Sequence, residues 1–210
     1  VLAPIAAEVI GHSVQHRPLR VVRIGRAPAS RTVLVVGCVH GTERAGRQIT
    51  ARLRHVTPPR DTQLLVLDAA NPDGCARGTR ANARGVDLNR NFPWGWRAQT
   101  GVFASGREPA SEPETRAIMA YIRRERPRVT IWFHQHMDLV ERTRGSDPRV
   151  IRRYARAAHM RIRALHRLPG TASRWQEHVL PRTTSFVVEL PAGRLSPAAV
   201  RRHVAAVGAV

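Results

Sequence analysis

The chain alternates short apolar runs with longer amphipathic stretches. Thr32-Val33-Leu34-Val35-Val36 and Gln63-Leu64-Leu65-Val66-Leu67 are brief, branched and closed by turn residues, the pattern of strands buried on both faces. Val129–Phe133 and Ser185-Phe186-Val187-Val188-Glu189-Leu190-Pro191 repeat it. Glu8 to Gly25 alternates instead, with Val21, Val22 and Ile24 as its apolar part, and predicts an early strand or hairpin. Helical patterns fall between these runs. Arg44 to His55 follows the first strand, and Ser111-Glu112-Pro113-Glu114 opens another helix, with Ser111 as its cap and Ile118, Met119 and Ile122 as its apolar stripe. Arg149 to Leu168 predicts an amphipathic helix with solvated arginines, 169–182 a loop, and Ser196-Pro197 the start of a last helix. The βαβαβ rhythm predicts one α/β domain over residues 1–210, a three-layer α/β/α sandwich around a mixed, mostly parallel sheet.

Polar residues gather just beyond these strands. His40 and Glu43 follow the first buried run, Asn71-Pro72-Asp73-Gly74 follows the second as a turn, the third ends at His134-Gln135-His136, and Glu189 closes the last. Open α/β sheets collect ligands at the carboxyl ends of their strands, so these groups are placed for chemistry. Two imidazoles and a carboxylate make a zinc site with one open position. A second carboxylate can then take a proton from water, and an acid ending an apolar run suits that role. Between Cys75 and Glu112 periodicity is lost over a glycine-rich segment, and long irregular segments in compact domains usually serve function.

Charge changes the picture only at the surface. The net charge is +20, from 35 basic residues against 15 acidic, and every basic residue is arginine. Such a surface attracts anionic wall polymers, acidic lipid or nucleic acid. No run of five basic residues marks a docking patch, so nucleic acid is not the expected partner. No apolar stretch approaches the roughly eighteen residues of a membrane span. The opening Val1-Leu2-Ala3-Pro4 lacks a methionine and fits removal of a signal peptide, so a secreted or envelope location is expected over a cytoplasmic one. Cys38 and Cys75 end successive strands and are either a disulfide or a reduced buried pair.

The segment Arg80-Ala81-Asn82-Ala83-Arg84-Gly85-Val86-Asp87-Leu88-Asn89-Arg90-Asn91-Phe92-Pro93 resembles the central signature of the zinc carboxypeptidases, the carboxypeptidase A-like metallopeptidases. Gly11 to Leu19, His40-x-x-Glu43, Asn71–Gly74, Ser111–Thr115 and Ser185–Leu190 resemble the family's other motifs, in its order, so the likeness covers roughly 11 to 193. It implies that His40, Glu43 and His134 bind zinc, that Asp87 orients a ligand histidine, and that Glu189 is the general base and acid. It implies an oxyanion role for Arg80 and a grip on the substrate's terminal carboxylate for Asn89 and Arg90.

The pattern departs in three places. His136 has the same strand parity as His134 and is the alternative ligand. No tyrosine matches the one that closes over the substrate, since Tyr121 and Tyr154 fall in helical stretches; Arg174 or Trp175 is the replacement. The chain is also short between His134 and Glu189, where larger members build a specificity pocket. A short chain without a large pocket resembles the bacterial murein peptide amidases of this family, which cut a γ-D-glutamyl to diaminopimelate bond. The expected activity is hydrolysis of an amide beside a terminal carboxylate, on a peptide or murein peptide, with one zinc ion per chain. The alternatives are a zinc deacylase of the aspartoacylase or succinylglutamate desuccinylase type, and a non-catalytic basic module for anionic wall polymers.

Overall fold

The computed structural model describes residues 5–166 and 168–210. The signal-peptide reading of Val1 to Pro4 and the Arg167 part of the long helix lie outside them. Strands β1 (Ile5–His12) and β2 (Pro18–Ile24) form the expected antiparallel hairpin. β3 (Arg31–Val36) and β4 (Thr62–Leu67) pair in parallel, and β2 pairs antiparallel with β4. β5 (Val129–Glu141) lies parallel to β3 on one side and to β7 (Thr184–Pro191) on the other. A short β6 (Ile162–Arg163) pairs with the far end of β5. The sheet is therefore mixed and mostly parallel.

Alternation within each strand builds two cores. Val33 and Val35 of β3, with Val66, Ile131, Phe133, Phe186 and Val188, face α1 (Gly46–Leu53), α4 (Pro148–Ala158) and α6 (Pro197–Gly208). Leu34 and Val36, with Leu65, Leu67, Trp132 and Val187, face α3 (Pro113–Glu125) and α5 (Ala172–Val179). This is the three-layer sandwich that period-two patterning predicts. Among the described residues no helix is long and apolar enough to cross a membrane.

Several local expectations are corrected. Asn71–Gly74 is not a free turn but the start of α2 (Pro72–Arg77): Asn71 accepts a hydrogen bond from Gly74 N at 2.8 Å, and Pro72 sits in the first turn. Ser111 does not cap α3, whose N-cap residue is Glu112; its hydroxyl donates to Glu112 Oε1 at 2.7 Å instead. The helix expected to Leu168 ends at Ala158, because His159 adopts a left-handed φ of 56°. The supposed loop 169–182 contains α5, which is packed through Ala172 and Trp175.

The largest difference concerns β5. It does not stop at His134 but continues to Glu141. Its partners on β7 rise from Thr184 to Pro191 along Val129–His136, then fall, with Leu139 opposite Glu189 and Val140 opposite Val188. A strand has only two edges, so β5 bends around the carboxyl end of β7 and its halves flank it. No local pattern announces such a bend. It places Glu141 beside the strand ends that carry His134 and Glu189.

Candidate active site

Backbone bonds draw the separate strand ends together. Beyond β3 and β4 the chains stay paired, with Gly37 N to Leu67 O at 2.9 Å and Asn71 N to Cys38 O at 3.0 Å. Cys38 and Cys75 are disulfide-bonded there, their Cα atoms 6.4 Å apart. Gly41 N donates to Thr79 O at 3.0 Å, and a Cβ at Gly41 would lie 1.9 Å from the Gly74 carbonyl oxygen. Only glycine permits that approach, which seats the His40 loop against α2.

His40, Glu43 and His134 converge, with all their ligand atoms within 4.8 Å of one another. His40 Nδ1 is 2.8 Å from Glu43 Oε1 and 3.2 Å from His134 Nδ1, which is itself 2.9 Å from Glu43 Oε2. His40 Nε2 is 2.8 Å from Asp87 Oδ1. A proton held on Nε2 by that carboxylate leaves Nδ1 as a lone pair facing the cluster, the tautomer that binds a metal. Two imidazole nitrogens and one carboxylate aimed at a common point match the donor set of a catalytic zinc site, so these residues fit the ion. His136 lines the same pocket but is exposed and outside the cluster, because β5 bends away at that residue.

The segment from Arg80 to Phe92 supplies the supporting shell. Asp87 is fully buried and caps a 3-10 turn, Leu88–Arg90, by accepting from Asn89 N at 2.9 Å. Its other oxygen accepts from Arg80 Nε at 3.1 Å and Nη2 at 2.8 Å. Arg80 Nη1 donates to Glu43 Oε1 at 3.0 Å, so the residue expected at the oxyanion braces two carboxylates in this arrangement. Asn89 is also engaged by the scaffold: its Oδ1 accepts from Ala172 N at 3.0 Å, and Nδ2 lies 3.4 Å from His134 Nε2. Arg90 is 3% exposed, donates Nη1 to Asn89 O, and leaves Nε buried without a partner at the pocket wall. Glu189 stands opposite His134 in register and also has a buried oxygen, Oε2, without a partner.

Charge balance in this cluster follows from burial set against pairing. Burial pushes Glu43 upward, yet hydrogen bonds from His134 and His40 hold it well below the usual carboxylate range. Asp87 behaves likewise: burial raises it, and His40, Arg80 and Arg90 pull it well down. For His40, burial opposes the charged form but is outweighed by Asp87 and Glu43, which raise its pKa. Arg90 is lowered, chiefly by burial. A buried concentration of carboxylate charge at one point is what a divalent cation requires.

Other expected residues fare differently. Arg174 does line the pocket. Trp175 does not: it is 1% exposed in the second core, 5.5 Å from Phe92. Successive residues of α5 point about 100° apart, so one reaches the cavity and the next reaches the core. Tyr121 and Tyr154 are buried in α3 and α4, away from the site. Sequence reasoning missed Phe103, whose ring lies under the guanidinium groups of Arg80 and Arg90 at 5.6 and 5.2 Å. It missed Gln135, which ties Ala45 N to the Pro191 and Gly193 carbonyls. It also missed Glu141, although an acid closing the apolar pair Leu139-Val140 is the kind of signal that exposed Glu189. Two other motifs serve structure: Ser13, Gln15 and Arg17 bind Asp73, while Asn82 donates to Glu112 and Glu114.

Comparison with known proteins identifies this arrangement. The signature described as zinc carboxypeptidase matches residues 5–200. The chain belongs to the zinc carboxypeptidase family. Murein peptide amidase A of Escherichia coli K12 is 36% identical over 160 residues, a match spanning 69% of this chain and 65% of that relative. The carboxypeptidase N catalytic chain of Rattus norvegicus is 31% identical over 155 residues, covering 54% of this chain and 34% of the relative. Among solved structures, murein-tripeptide amidase from Escherichia coli O157 superposes with a TM-score of 0.80 at 26% identity, covering 99% of this chain and 92% of that one. Carboxypeptidase A from Helicoverpa armigera gives 0.83 at 22% identity, covering 98% and 68%. In this member of the zinc carboxypeptidase family, the residues that could hold a metal, His40, Glu43 and His134, lie beyond the strand ends where ligands of α/β proteins collect.

Proposed function

We propose that this zinc carboxypeptidase hydrolyses the amide bond beside a terminal carboxylate, that its substrates are murein peptides, and that it holds one zinc ion per chain. The observation that carries the reading is the meeting of His40, Glu43 and His134 within 4.8 Å, in a pocket walled by Glu189 and Arg90. The matched murein amidases support the substrate class. The anionic wall-polymer reading gains nothing from them. The Cys38–Cys75 disulfide supports a location outside the reducing cytoplasm.

Zinc held by His40, Glu43 and His134 supplies Lewis acidity for water and for the scissile carbonyl. Asp87 keeps the ring of His40 in the ligating tautomer. The buried, unpartnered Oε2 of Glu189 takes a proton from water and returns it to the leaving amine. Arg90, with Nε unpaired at the pocket wall, grips the terminal carboxylate. Arg80 Nη1, shared here with Glu43, is the donor that turns to the developing oxyanion.

Elemental analysis paired with hydrolysis of a murein tripeptide and of neutral carboxyl-terminal dipeptides tests this. About one zinc per chain, tripeptide cleavage, and a Glu189→Gln protein that keeps its zinc while losing about a hundredfold or more in kcat are the expected results. A metal-free protein that binds polyanions and cleaves nothing would support the binding-module reading instead.

A further inference from the structure

The bend of β5 opens a cavity of about 770 Å3 beside the metal pocket, against the expectation that so short a chain lacks one, and Glu141 lines both spaces. That cavity belongs to the site already described. A different part of the molecule has chemistry that hydrolysis does not use: the helical layer of α1, α4 and α6, in which α6 packs against both of the others. No residue of these helices lines the metal pocket.

Charge is segregated between the two helical layers. Arg149, Arg152, Arg153 and Arg156 of α4 and Arg201 and Arg202 of α6 are all exposed, and Arg52 of α1 joins them. None of the three helices contains an aspartate or a glutamate. The opposite layer mixes its signs, with Glu114 and Glu125 in α3 and Glu177 in α5. Among the described residues Arg47 is paired with Asp68, and no other arginine of α1, α4 or α6 is in an ion pair. Asp147, just before α4, is occupied as its N-cap, accepting from Arg149 N at 2.8 Å. The α4 arginines fall at i, i+3, i+4 and i+7, so like charges share one face and repel. Arg149 also stands in the first turn, where the helix dipole disfavours a cation. The use of arginine in place of lysine accounts for none of this, because it does not decide where acids are missing. The arrangement costs stability and returns no contact within the chain, as expected of a surface kept for an outside anion.

Beside the arginines of α4 lies a cleft of about 370 Å3 between that helix and β6. Pro148, Ile151 and Ile162 give it an apolar wall, and Arg142, Arg152 and Arg163, all exposed, line it as well. A bare phosphate would use the arginines and leave the apolar wall wet, whereas a phosphate ester carrying hydrocarbon uses both. The exposed large apolar side chains all lie outside α1, α4 and α6, so the layer has nothing to drive deep into a bilayer. We infer that the face formed by α1, α4 and α6 docks on an acidic phospholipid surface, with its arginines on headgroup phosphates and one lipid seated in the cleft between α4 and β6. The layer covers a face of the sheet while the metal pocket opens at the strand ends, so the docked chain keeps its pocket free.

Flotation of the zinc-loaded full chain with phosphatidylcholine vesicles, with and without about 30% phosphatidylglycerol, tests this. Binding to the acidic vesicles alone is expected, weakening at least about tenfold between about 0.05 and 0.3 M salt. Reversing Arg152→Glu, Arg153→Glu and Arg156→Glu together should cut that binding at least about a hundredfold. Arg20→Glu, Arg77→Glu and Arg97→Glu, at exposed positions outside the layer, change the net charge equally and should cut it less than about threefold. Dihexanoyl phosphatidylglycerol, titrated below its micelle concentration, should bind at least about tenfold tighter than glycerol phosphate, since the apolar wall of the cleft takes part. Thermal melts establish that each variant is folded; should the α4 reversal unfold, Arg201→Glu with Arg202→Glu is the deciding variant, with at least about a tenfold loss expected. Equal losses in the two triple variants, binding to neutral vesicles as tight as to acidic ones, or equal affinity for the two short phosphate esters overturns the inference. Tighter binding of polyphosphate or double-stranded DNA than of acidic vesicles, at equal phosphate and through the same arginines, assigns the face to a polymer and overturns it as well.

Discussion

Replacing Asp87 by asparagine isolates the link between the buried carboxylate and metal binding. Asp87 has no exposure and accepts four hydrogen bonds: His40 Nε2 at 2.8 Å, Asn89 N at 2.9 Å, and Arg80 at 2.8 and 3.1 Å. An asparagine has only one acceptor atom to cover them. If its oxygen keeps His40 and Asn89, its NH2 faces two guanidinium N–H groups, donor against donor. If it turns over, the NH2 faces His40 Nε2, which must then surrender its proton to Nδ1, the tautomer that cannot ligate. Either way, zinc affinity should fall about 10- to 100-fold, or roughly 1.4–2.8 kcal/mol. The metal-free protein should also lose about 1–3 kcal/mol, since buried donors are left unpaired. Competition against a chromogenic chelator measures the first, and urea denaturation of metal-free protein the second. A variant that binds zinc within about twofold of the parent would show that Asp87 does not set the His40 tautomer.

Three further outcomes follow from other parts of the molecule. The Cys38–Cys75 disulfide closes a sequence separation of 37, so chain entropy assigns it about 4 kcal/mol, and urea melts with and without reductant should differ by that order; coincident melts would show that the reduced chain is equally constrained. His203 is buried beside Tyr154, 2.8 Å from its hydroxyl, and burial pushes its pKa down to about 4. An unfolded histidine takes a proton near 6.5, so the unfolded state gains protons first as pH falls, and stability should drop by about 2 kcal/mol from pH 7.5 to 5. Comparing denaturation of parent and His203→Gln at both pH values reads this, and parallel losses in the two proteins would count against it. Asp73, raised by burial but pulled below its usual range by Ser13, Arg17 and Gln15, stabilises the fold above the ordinary carboxylate pKa and loses that contribution as pH falls through its own lower value. Asp73→Asn should therefore flatten the acid limb of the stability profile measured below pH 4, and an unchanged limb would place that pH dependence elsewhere.

Much of the molecule was legible along the chain because its signals are local. Branched apolar runs marked β3, β4 and β7, Pro and Ser marked where α3 and α6 begin, and ligand-type residues stood where strands end. His40, Glu43 and the acid closing the β7 run stood as ligand and base candidates at strand ends, and the resemblance of the Arg80 to Pro93 segment turned them into metal-hydrolase chemistry. Resemblance then attached roles to Asp87, Arg80 and Arg90. What one-dimensional pattern cannot express is which distant groups share space. The bend of β5 around β7 depends on an edge that β7 offers only once both are folded, and it created the side cavity holding Glu141. The same bend carries His136 away from the cluster, while the inward turn of Trp175 and the engagement of Asn89 by α5 are decided by which side of a packed element a residue faces. Local sequence selects the elements and their chemistry, because backbone preference and apolar periodicity act over a few residues. Tertiary packing alone assigns neighbours, because burial and hydrogen bonding act through space.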